Sequence, residues 1–76
     1  MATLKQYKIM ILFGWCLLSG DDWTEGRQLS REINRLAAKH LGVGTIDDLA
    51  ELPDDSELGE EASKLFDQFR GLVLKQ

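Results

Sequence analysis

The sequence predicts an all-α fold: a small antiparallel bundle of three longer helices and one short helix, in a single domain over residues 1–76. Three observations carry this. Leu58, Ala62, Leu65, Phe66, Phe69, Leu72 and Val73 recur at the spacing that keeps apolar side chains on one helix face. Leu29, Ile33, Leu36, Ala37, His40 and Leu41 repeat that spacing ahead of Gly42. The other β-like stretch, Leu72-Val73-Leu74, is too short to make a sheet with.

The first element is built on residues 9–18, Ile-Met-Ile-Leu-Phe-Gly-Trp-Cys-Leu-Leu, which carry no charge. Periodicity cannot separate strand from helix where every position is apolar. An α+β alternative, with residues 8–17 as a strand, lacks a partner strand. As a helix the run extends backward with Leu4, Tyr7, Ile11 and Leu18 on one row, Thr3 as N-cap and Ser19-Gly20 as a stop. A helix apolar on all sides must be enclosed on more than one. It is therefore expected between the second and last helices, against Ile33, Leu36, Phe66 and Phe69, with Gly14 at a close crossing and Trp15 in the core or at a subunit contact. The run is half the roughly 20 residues a bilayer requires, so no membrane span is expected. Lys5 and Lys8 imitate the opening of an export signal, but Leu18-Ser19-Gly20 is a poor cleavage site and Trp15 ahead of Cys16 does not suit a lipoprotein.

The second helix is expected from Trp23 to about His40. Asp22 and Glu25 form a capping-box pattern, Gly42 stands at the left-handed C′ position, and Gly26 allows close approach to the first helix. The short helix is expected over residues 45–52. Thr45 is its N-cap, Asp47 and Asp48 fill its first turn, Ile46, Leu49 and Leu52 share a side, and Pro53 ends it. The last helix is expected from about Ser56 to Leu74, with Glu57, Glu60 and Glu61 at its positive end and the pairs Glu60–Lys64 and Asp67–Arg70 on its outer face.

A chain of 76 residues buries only about 60% of its unfolded surface, and its one cysteine permits no internal disulfide. Cys16, inside the apolar run, reads as a buried, inert thiol. Further burial comes most readily from a second copy, so a homodimer or larger closed oligomer is expected, with the first helix near the interface, in a reducing, cytoplasmic setting.

Catalytic patterns are nearly absent. The single His40 suits the negative end of its helix, and Cys16 has no polar neighbour to make it a nucleophile. One Cys and one His cannot hold structural zinc, the acidic stretch lacks the EF-hand spacing, and there is no Walker, Gly-x-Gly-x-x-Gly or Gly-x-Ser-x-Gly motif. No enzyme activity, cofactor or metal is expected.

Charge is the remaining signal. Arg27, Arg31, Arg35 and Lys39 form a basic ridge at steps of four, whereas Asp47, Asp48, Glu51, Asp54, Asp55, Glu57, Glu60 and Glu61 accumulate with no Lys or Arg between residues 39 and 64. The plain interpretation is a solvated ridge plus carboxylates at helix starts. A nucleic-acid role for the ridge is opposed by the net charge of −4 and the pI near 4.8. The function expected is a small acidic, non-enzymatic protein-binding module of regulatory, inhibitory or adaptor type. Its contacts would be Trp23 as an aromatic anchor, the acidic residues Asp47, Asp48, Glu51, Asp54 and Asp55, and Arg27, Arg31 and Arg35. The alternative is a nucleic-acid-binding regulator using the ridge.

Overall fold

The computed structural model describes residues 2–44, 49 and 51–75. Three helices carry most of them: α1 (Leu4–Leu17), α2 (Gly20–Leu41) and α3 (Glu60–Leu74). The all-α class holds, and α1 replaces the strand alternative for residues 8–17; the β pairing among the described residues is an isolated antiparallel bridge from Thr3 to Glu57. The short helix expected over residues 45–52 lies largely outside the described residues; from that stretch Leu49 is buried in the core.

α1 starts as its sequence dictates. Thr3 is extended, its hydroxyl accepts from the Gln6 amide N–H, and the Gln6 side chain accepts from the Thr3 N–H, a reciprocal capping box. Two further amide groups of its first turn go to distant carbonyls: Leu4 N–H donates to Ser56 O at 2.8 Å and Lys5 N–H to Asp54 O at 3.0 Å. Leu58 N–H returns a bond to Ala2 O at 3.0 Å. This clasp is why α3 begins at Glu60 and not near Ser56. Residues 54–58 serve as partners for the chain's amino end and cannot also wind into a helix.

α2 begins earlier than expected, at Gly20, with Ser19 as N-cap and no side-chain capping bond. The Asp22–Glu25 capping box therefore does not form; Asp21 and Asp22 sit in the first turn, where the helix dipole favours them. Gly42 ends the helix in the left-handed conformation expected of it, φ 74°. At 22 residues α2 is about 33 Å long, which matches the longest dimension of the molecule, 33 Å.

Contacts fix the directions. Tyr7 bonds Ser30 while Trp15 meets Trp23, so α1 and α2 run antiparallel. Gly59 lies under His40 while Gly26 faces Phe69 and Leu72, so α2 and α3 also run antiparallel. The principal packing is between α2 and α3, through Ile33, Ala37, Ala62, Phe66, Phe69 and Val73. α1 covers one side of that pair with Leu4 and Tyr7, and Leu18 just beyond it closes the same side. The expectation that α1 is the enclosed centre is thus corrected: the centre is the α2–α3 seam, and α1 lies on it.

Two glycines let α1 sit close. A methyl group on Gly14 would stand 2.8 Å from Phe69 Cζ, and one on Gly26 would stand 2.6 Å from Leu18 Cδ1. Both close approaches match the sequence reading.

Tyr7 is the buried polar group of this layer. Its ring meets Phe66 edge-on at 6.2 Å, and its hydroxyl donates to Ser30 O at 3.1 Å and lies 3.0 Å from Ser30 Oγ. Burial pushes the phenol up to about 12 from its ordinary value of 10.0, with the side chains of Ser30 and Asn34 pulling the other way. The folded state therefore holds the phenolic proton more tightly than the unfolded chain. This part of the stability is complete below pH 10.0 and is lost as pH rises from there toward about 12. Tyr7 is the sole tyrosine, so the absorbance of its phenolate should titrate late in the native protein. Tyr7→Phe should remove the corresponding slope from an alkaline unfolding series.

Candidate protein-binding face

The helical period divides α1 into two apolar stripes. Leu4, Tyr7 and Gly14 are buried and Ile11 is packed beside them, continuing into Leu18. Ile9, Leu12, Phe13 and Cys16, at i, i+3, i+4 and i+7, form a second stripe on the opposite side of the helix. That side faces outward. Ile9 is 44%, Leu12 67%, Phe13 54%, Trp15 51% and Leu17 48% exposed. Cys16 is exposed as well. The expectations of an all-round buried helix and a buried Cys16 are both overturned in the single chain, because α2 and α3 use their apolar faces on each other and offer α1 only one side.

At the edge of this face the rings of Trp15 and Trp23 approach with centroids 5.8 Å apart, tilted by 51°, and the Arg27 guanidinium lies 5.4 Å from the Trp23 centroid. A cation over an indole face is attracted by the ring quadrupole. Trp23 is therefore half-buried between Trp15 and Arg27, and Trp15 itself lies partly in solvent and not in the core. The space left beneath the two indoles, against Gly14, Gly26 and Phe69, is about 10 Å³. That is at the lower limit for one water molecule and excludes a small-molecule ligand there.

The structure brings together only some of the charged residues singled out from sequence. Arg27 is committed to Trp23 and Arg35 to the Glu32 carboxylate, which its hydrogen bond holds below the usual carboxylate range. Arg31 and Lys39 remain exposed, bordering a shallow groove with Val43 and Gly44. In the acidic stretch Asp54 pairs with Lys8 at 3.2 Å, tying the stretch to α1, while Glu51 and Asp55 are exposed. Asp47 and Asp48 lie outside the described residues. On α3, Glu60 and Lys64 approach to 3.8 Å as expected.

A Cys16–His40 nucleophile pair is excluded by distance. Trp15 meets the start of α2, whereas His40, at its far end, lies 17 residues beyond Trp23, about 25 Å along the axis. No three His, Cys, Asp or Glu side chains among the described residues are grouped to hold a metal ion. No described helix is long and apolar enough to cross a membrane. Comparison with known proteins finds no matching family model, no similar curated protein and no similar solved structure.

From the sequence the first helix is expected near an interface, but Ile9, Leu12, Phe13, Cys16 and Leu17 are not singled out as its outward side. The signal was present: once Leu4, Tyr7, Ile11 and Leu18 are assigned to one row, the remaining apolar residues fall on a second row for which the chain supplies no third amphipathic face.

Proposed function

We propose that the protein is a small, acidic, non-enzymatic protein-binding module, regulatory, inhibitory or adaptor in type, whose working surface is the outward face of α1. One observation carries this reading: an i, i+3, i+4, i+7 apolar stripe is left in solvent on a charged 76-residue chain. Contiguous apolar patches of that kind on small proteins are interaction surfaces. Trp23 belongs to the rim of this surface, in tilted ring contact with Trp15. The exposed acids Glu51 and Asp55 and the exposed Arg31 act through long-range steering.

A photo-crosslinking residue placed at Leu12 tests the reading in living cells. Protein adducts should form from Leu12 and not from Gln28, which is exposed on α2. Equal labelling from the two positions, or none from Leu12, would refute it.

A further inference from the structure

Resting on that reading, we infer that the occupant of the α1 face is a second copy of this chain, its α1 packed antiparallel across a two-fold axis between Leu12 and Phe13. The register follows from the stripe itself. An antiparallel pair centred there sets Ile9 of one copy against Cys16 of the other, and Leu12 against Phe13. Ile9, Leu12 and Phe13 thus each meet an apolar partner, Leu17 lies at the edge opposite Lys8, and the contact is self-complementary, as a two-fold interface must be.

Charge selects the direction. Lys5, exposed, continues the stripe toward the amino end, while Asp21 and Glu25, exposed, follow the carboxyl end of α1 at the start of α2. Antiparallel pairing puts Lys5 of each copy opposite the acidic end of its neighbour, and opposes the two helix dipoles. Parallel pairing would bring Lys5 to Lys5 and Asp21 to Asp21, which is repulsive.

Area is sufficient for a modest dimer. The exposed parts of Ile9, Leu12, Phe13 and Leu17 amount to on the order of 400 Å² of apolar surface per copy. Doubled over two copies, that apolar core needs a polar rim to reach the roughly 1,000 Å² of a specific interface, which places the pair among weak, reversible dimers.

A bilayer surface suits this face less well. α1 carries Lys5 and Lys8 as its charged residues, Lys8 is held by Asp54, and the net charge is −4. An interfacial helix instead presents a lysine- and arginine-rich face to anionic headgroups.

Sedimentation equilibrium of the full chain from about 1 µM to about 1 mM should show the mass rising from 8.6 kDa to twice that value. Leu12→Glu with Phe13→Glu should weaken association by more than about a hundredfold while leaving the helical circular dichroism unchanged, since both side chains are more than half exposed. Cysteine oxidation tests the direction. Two Cys16 thiols in the antiparallel pair lie about 10 Å apart along the axis, out of disulfide reach, whereas in Ile9→Cys the introduced thiol faces Cys16 of the second copy. Oxidised Ile9→Cys should therefore give covalent dimer readily, and the unsubstituted chain should not.

A monomer at every concentration, a dimer indifferent to the double substitution, or faster cross-linking through Cys16 alone would each overturn the inference. So would a monomer that floats with phosphatidylglycerol vesicles. A monomeric chain that still gives Leu12 adducts with other proteins in cells would overturn the self-pairing and leave the proposed function standing.

Discussion

Phe69→Ala is expected to lower stability by about 3–5 kcal/mol, enough to unfold a large fraction of the protein at ordinary temperature. Phe69 is buried where all three helices meet: its ring edge lies under Gly14 of α1 and Gly26 of α2. Truncation leaves a void that those backbones cannot fill, because neither glycine carries a side chain to move into it. A chain of this length has a total stability of only about 4–11 kcal/mol. The measurement is urea unfolding followed by tryptophan fluorescence, with Trp15 and Trp23 next to the junction as reporters. The midpoint should fall steeply while the slope is retained. A loss below about 1 kcal/mol would mean that the helices close up around the gap and that the glycine contacts are not rigid.

The second large effect is expected at Gly59. This residue is buried, serves as N-cap of α3, and has φ 93° and ψ 162°, a conformation close to glycine-only. A methyl group there would also stand 2.6 Å from Cγ of His40. Gly59→Ala should destabilise by about 1–3 kcal/mol from the backbone alone, with displacement of the His40 ring in addition. Gly71 is the control. It is exposed within α3 with nothing near its would-be methyl, so Gly71→Ala should stabilise by about 0.5–1 kcal/mol. The same chemical change should thus shift thermal unfolding in opposite directions at two ends of one helix; matching shifts would refute the account.

Both positions show what the sequence could and could not disclose. The periodic rows of α2 and α3, the Thr3 cap, the Gly42 stop and the close approaches at Gly14 and Gly26 are local or pairwise consequences of helix geometry, and they were legible. The start of α3 was not. Asp54-Asp55-Ser56 has the composition of a helix start, but its carbonyls are claimed by Leu4 and Lys5 some fifty residues earlier, and no local pattern encodes that. The exposed stripe of α1 was misread for a different reason. In a run with no polar residue composition does not mark which side faces solvent; the row of Leu4, Tyr7, Ile11 and Leu18 does, and the expectation of a buried Cys16 overlooks it. The sequence offers Trp23 as a candidate anchor, but its pairing with Trp15 and Arg27 depends on the two-residue link between α1 and α2.

The clasp between residues 2–5 and 54–58 bears on how the chain comes into being. α1 is translated well before the groups that tether its first turn, which are not added until Ser56 has been reached. Throughout that interval the inner stripe of α1 is without the later helices that cover it. Fast elongation past Ser56, or shelter by a chaperone, then decides how much of the protein escapes aggregation.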